Sequence, residues 1–197
     1  MKESAREGLL VDGAGVPLAE EDSGTVELPD GTSVAYHAIA PDNAAALQRF
    51  HHRLSQRSIY LRFFGAKPEL SDRKAGYFTN VDGKDRFALV ALDPQSEGEI
   101  IAVVSFDREG TTERAEYAAA VEDGWQGRGL GLALTRCLID AALKRGIRVL
   151  TGVVLFENKR MLNLLRDLGL PEKLRYEDGI EYVEIELAGR DGMGQES

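Results

Sequence analysis

Trp125-Gln126-Gly127-Arg128-Gly129-Leu130-Gly131-Leu132 lies between a strand-like run, Arg114 to Val121, and a long helical pattern from Leu130 to Arg145. Glycine recurs at every second position, so several backbone N–H groups stand free of side chains where a helix begins. Outward amides, the positive end of the helix dipole and the missing Cβ atoms together suit a pyrophosphate. Glycines also serve ordinary tight turns, so the loop alone supports a phosphate site and a plain turn equally. Its flanks decide between them.

Upstream, Arg86–Leu92, Ile100–Phe106 and Arg114–Val121 have strand character, joined by turns at 93–98 and 108–112. Downstream, Leu130, Leu134, Cys137, Leu138 and Ala141 form the inner face of a helix that Gly146 closes. Val149–Phe156 reads as a strand, Asn158–Leu168 as a helix stopped by Gly169, residues 170–180 as a loop, and Ile180–Leu187 as a last strand. At the other end, 24–28 and 32–39 form a hairpin about Pro29-Asp30-Gly31. Three helices follow at 43–54, 55–64 and 71–78, with Ser71 as an N-cap. A β-meander followed by strand–loop–helix–strand–helix–strand predicts an α/β, mixed sheet with helices on both faces. The strand at 149–156 runs parallel to 114–121 through the crossover helix. Residues 1–23 read as a flexible acidic arm, 24–188 as a single domain and 189–197 as a flexible polar tail.

The formal net charge of −9 argues against a nucleic-acid partner, which selects a basic face. Charge is unevenly spread: the first thirty residues are strongly acidic, whereas 128–160 are locally basic, suiting an anionic ligand beside a cationic one. Cys137 is the only cysteine, so no intrachain disulfide forms, and its place on the apolar helix face suggests packing. His37, His51 and His52 have no metal-ligand spacing, so no metal is expected. No run approaches the ~20 apolar residues of a membrane span, and no signal peptide is legible, which makes the cytoplasm the expected compartment and excludes a membrane partner.

Glu116 lies among Ala115, Tyr117, Ala118 and Ala119 on the strand that feeds the glycine loop. A carboxylate there reaches a partner, water or a cleft. Two readings stand side by side: a general base beside the bound ligand, or a sheet-surface glutamate paired with Arg114 or another cation. Glu122 and Asp123 read as turn residues.

Gln126-Gly-Arg-Gly129-Leu-Gly131, with Val153-Val-Leu-Phe-Glu-Asn158 and Leu168-Gly169-Leu170 downstream, resembles the GNAT family of acyl-CoA-dependent N-acetyltransferases. Ser58-Ile-Tyr60-Leu-Arg62-Phe63-Phe64, Ala115-Glu116-Tyr117 and Asp123-Gly-Trp125 narrow the likeness to the bacterial protein-lysine acetyltransferase branch called Pat. The resemblance implies a mostly antiparallel sheet with a splayed parallel strand pair at the acyl-CoA site. It implies acetyl-CoA as co-substrate, its pyrophosphate on the amides of Gln126, Gly127, Arg128, Gly129, Leu130, Gly131 and Leu132. The backbone of Ala119 and Val121 would pair with the pantetheine arm, which Asn158 contacts or orders. Glu116 matches the branch's general base, and no metal is implied. The acceptor implied is a protein lysine, an acyl-CoA synthetase among the candidates. Small amines, and a non-catalytic acyl-CoA-binding module, remain the alternatives. Leu165 replaces the tyrosine that serves many members as general acid; Tyr117, Tyr176 and Tyr182 are the substitutes on offer.

Overall fold

A computed structural model describes residues 22–65 and 69–187. Its strands are β1 (Ser23–Glu27), β2 (Ser33–Ala38), β3 (Arg86–Leu92), β4 (Ile100–Arg108), β5 (Arg114–Val121), β6 (Val149–Leu155), β7 (Glu172–Glu177) and β8 (Ile180–Glu186). The helices are α1 (Ala44–Arg53), α2 (Gln56–Phe63), α3 (Asp72–Thr79), α4 (Leu130–Lys144) and α5 (Lys159–Arg166). All eight strands form one sheet in the order β1-β2-β3-β4-β5-β6-β8-β7. Every neighbouring pair is antiparallel except β5 and β6, which run parallel through α4, as the element order predicts.

The sheet divides two apolar layers. One unites odd-numbered residues of β5 (Ala115, Tyr117, Ala119) with Leu130, Leu134 and Leu138 of α4. The other sets Ala88 and Val90 against Leu47 and Phe50 of α1 and Ile59 of α2. Central β3 is buried from Phe87 to Ala91 and accordingly reads as an unbroken apolar run.

Residues 170–180 are not a loop: they hold β7 and the turn into β8. Asp178 and Gly179 both take positive φ, 49° and 83°, as a two-residue hairpin turn requires. Every residue of β7 is exposed, so the strand carries no burial alternation to read. β4 runs two residues past its expected end, to Arg108. The presumed arm at 1–23 lies outside the described residues except for Asp22 and Ser23, as does the tail at 189–197. Among the described residues, no helix is long and apolar enough to cross a membrane.

Candidate active site

The parallel ladder between β5 and β6 is short. It joins Arg114 to Val149, Ala115 to Leu150 and Glu116 to Thr151, and there it ends. β5 continues to Val121 and β6 to Leu155, so the strands part into a fork. A cleft of about 990 Å³ occupies it, walled by Tyr117–Val121, Gly152–Val154, the glycine loop, α2 and α5.

The other edge of β5 is saturated by β4. Glu122 N–H donates to Ile101 O (2.9 Å), which fixes the phase of that antiparallel ladder. Even-numbered residues therefore bond β4, the Tyr117 N–H closes the last rung to β6, and beyond it the peptide groups of Ala119 and Val121 point into the fork. Both residues expected to meet a pantetheine arm, Ala119 and Val121, turn their peptide groups there, the Val121 carbonyl already accepting from the Gln126 side chain (2.9 Å).

At the mouth, Gly127 and Gly129 take φ of 76° and 90°, and Gly129 caps α4. The first helical bond runs from Ala133 N–H to Gly129 O (3.0 Å). Amides 127–132 thus have no backbone partner among the described residues, and Gly127, Arg128, Gly129, Gly131 and Leu132 line the cleft at the positive end of a 15-residue helix. The Gln126 amide differs, closing a turn on Asp123 O at 3.3 Å. Leu130 itself is fully buried in the α4-side core.

Arg128 turns its side chain away from this cradle. It donates to Asp30 (2.7 Å) and Thr32 (3.1 Å) and stacks on Trp125 at 4.2 Å. Hydrogen bonds from Thr32 and Arg128 hold the Asp30 carboxyl at about 2, so the clamp stays ionised at any physiological pH. A loop of free amides, a helix start and an empty-sided fork fit the pyrophosphate and extended amide arm of an acyl-CoA.

Structure adds a wall that the sequence left illegible. The Gln126 side chain donates to Val121 O (2.9 Å) and Ser58 Oγ (3.0 Å) and accepts from Arg160 (2.6 Å). Asp123 is more than a turn residue: it accepts from Ser55 N–H (3.0 Å), Ser55 Oγ (2.7 Å) and Ser58 Oγ (2.9 Å). Burial opposes its ionisation, but those bonds prevail and keep its carboxyl below the usual range. Glu122 pairs with Arg53 (3.0 Å). Arg57 of α2 reaches Glu157 beyond β6 at 2.8 Å, so an ion pair joins the two walls. Asn158 caps α5, its Oδ1 accepting from Met161 N–H (3.2 Å).

Glu116 is exposed at the apex of the fork, beside rather than among the cleft-lining residues. Its ladder neighbours are Asp107 and Thr151. Arg114, the cation offered as its partner, instead bonds Glu184 (2.7 Å). Leu165 is buried in the α4-side core, away from the cleft. Of the three tyrosines, only Tyr117 lines the cleft, and its hydroxyl faces α4. Thr135 Oγ1 donates to Gly131 O (2.7 Å), which leaves the Tyr117 O–H to donate to Thr135 (2.8 Å). Burial pushes that phenol up to about 12. Tyr117→Phe is expected to cost about 1 kcal/mol of stability in urea denaturation and to retain transferase activity. Tyr176 packs on Phe156 (5.3 Å) and Tyr182 lies under Arg175 (4.2 Å), both outside the cleft.

Cys137 sits half-buried against the core. His51 is buried beside Phe63, and no His, Cys, Asp or Glu cluster among the described residues has metal-binding geometry.

A sheet forked between parallel strands, with an amide cradle at its mouth, defines an acyltransferase. Residues 55–170, more than half of the chain, match the acetyltransferase (GNAT) family, and the chain belongs to it. Acetyltransferase PA5475 of Pseudomonas aeruginosa is 26% identical over 166 residues, covering 83% of this chain and 89% of that protein. Acetyltransferase Pat of Mycolicibacterium smegmatis is 31% identical over 134 residues, 68% of this chain and 39% of the longer Pat chain. The crystal structure of the GNAT domain of S. lividans PAT superposes with a TM-score of 0.79 at 35% identity, covering 86% of this chain and 98% of that one.

Proposed function

We propose that the protein transfers an acetyl group from acetyl-CoA to lysine side chains of proteins, within a single catalytic domain spanning 24–188, and that Glu116 is the general base. The fork carries this reading. Its free strand edge can pair with a pantetheine arm while amides 127–132 take the pyrophosphate, which directs the thioester toward the apex where Glu116 stands.

Lysine has a solution pKa near ~10.4, so its attacking form is scarce at neutral pH. Glu116, directly or through a water, accepts a proton from the ammonium, and the freed amine attacks the thioester carbonyl carbon. The resulting oxyanion is stabilised by an N–H of the fork, that of Ala119 being suitably directed. Collapse breaks the C–S bond and releases CoA as thiolate, while the nitrogen gives up its second proton to water or to the departing thiolate as the neutral amide forms. A thiolate is a far better leaving group than the amine of the same intermediate once that amine is deprotonated, and it can leave without obligatory protonation, so a leucine at 165 is compatible with turnover.

The relatives named Pat support a protein acceptor, and an acyl-CoA synthetase is one candidate. The test is incubation with isotopically labelled acetyl-CoA and a host lysate, followed by mass spectrometry. Labelled ε-acetyl-lysine on a small set of proteins is expected. Label confined to free amines would instead assign a small-molecule acceptor, and CoA-dependent binding without transfer a silent module.

A further inference from the structure

Strand register sets a transverse row of side chains on one face of the sheet: Arg86, Asp107, Glu116, Thr151, Glu184 and Lys173. Its charges are largely paired. Arg86 bonds Asp107 (2.9 Å), Arg114 bonds Glu184 (2.7 Å) and Lys173 bonds Glu186 (2.7 Å). Glu116, at the apex of the fork, forms no ion pair among the described residues.

A cation lines the cleft from the helix packed on β5. Arg62, in the last turn of α2, lines the cleft with its guanidinium 5.0 Å from the Phe63 ring. It too forms no ion pair among the described residues. Burial draws its pKa down, and the charges of Glu116 and Asp107 offset that only in part. A partly desolvated guanidinium with no paired carboxylate has strong donors to offer an incoming anion. Arg62 lines the cleft from α2, which packs on β5, and Glu116 stands on β5 where the cleft ends, so a cation and an anion flank the place where the acceptor would meet the thioester.

We propose that Arg62 binds a carboxylate of the acceptor while Glu116 receives its amine, so that the preferred acceptors carry both groups. This rests on the assignment of the fork apex as the transfer point. The carboxylate can come from an Asp or Glu side chain flanking a lysine in a polypeptide, or from the α-carboxylate of a free amino acid.

Two acceptor pairs separate these sources: lysine peptides differing only in Glu or Gln beside the lysine, and free lysine against lysine amide. Steady-state kinetics of the full chain should favour the carboxylate member of one pair by roughly 10- to 100-fold in kcat/KM, the range for a charged hydrogen bond. The pair that responds identifies the source. Arg62→Gln should bring that ratio close to one through KM, with acetyl-CoA affinity unchanged, whereas Arg62→Lys should retain part of the preference. A wild-type enzyme indifferent to the carboxylate in both pairs, or a preference undiminished in both variants, overturns the proposal. Glu116→Gln separates the two assignments. It should lower kcat for both members and leave their ratio intact, so a full rate in that variant tells against the base and not against Arg62.

Discussion

Glu116→Gln is expected to lower kcat by roughly 10²- to 10⁴-fold, the range for losing a positioned general base, with the Kd for acetyl-CoA unchanged. The glutamine keeps the size of the side chain and a carbonyl oxygen but cannot accept the ammonium proton. The dissociation of effects follows from position: Glu116 is at the apex of the fork, and the amides assigned to the pyrophosphate lie at its mouth. Stopped assays at saturating acetyl-CoA measure kcat, and calorimetry measures binding. A variant that turns over at the wild-type rate near pH 7 would remove Glu116 from the reaction.

Gly129→Val is expected to act on the other half of the site. At φ of 90° any L side chain is strained, and a Cβ would come within 3.0 Å of Pro29 Cδ and 3.3 Å of its Cγ. Strain of this kind costs on the order of 1–3 kcal/mol. Either the hairpin turn or the loop must move, and the cradle loses its alignment. Loss of one or two charge-assisted hydrogen bonds to the pyrophosphate predicts roughly 10- to 100-fold weaker acetyl-CoA binding. Calorimetry at a temperature where the variant stays folded checks this. Gly127→Ala is the informative companion, because its Cβ would meet nothing within 4 Å. It carries backbone strain without the clash, so its binding loss should be the smaller of the two; equal losses would remove the Pro29 contact from the account.

The path from β5 through the loop, α4, β6 and α5 was legible because each element carries its own local mark. Alternate glycines stop a strand and free a helix start, and α4 repeats apolar residues at helical spacing from Leu130 to Ala142. Glu116 was legible as an odd charge because its neighbours 115, 117 and 119 are all buried on the opposite face. β7 was not legible: with six exposed residues it shows no alternation, and Asp178-Gly179 was its sole local signal. The wall around Gln126 was illegible for a different reason. Ser58 and Gln126 are 68 positions apart, as are Ser55 and Asp123, and one sequence says nothing about which distant polar groups meet. Arg62 carries no local signal of its own, since its relation to Glu116 exists only once α2 lies against β5.

The unpaired edge of β5 leaves the native sheet one strand short, and a bound pantetheine arm would supply it. Ligand binding is then also a contribution to folding, because the unfolded chain has no fork to offer. At 100 times its Kd, acetyl-CoA would add about 2.7 kcal/mol to the unfolding free energy. Amides 119 and 121 should gain the most protection from hydrogen exchange. Starvation for acetyl-CoA would thus slow the enzyme and also shorten its life against proteases.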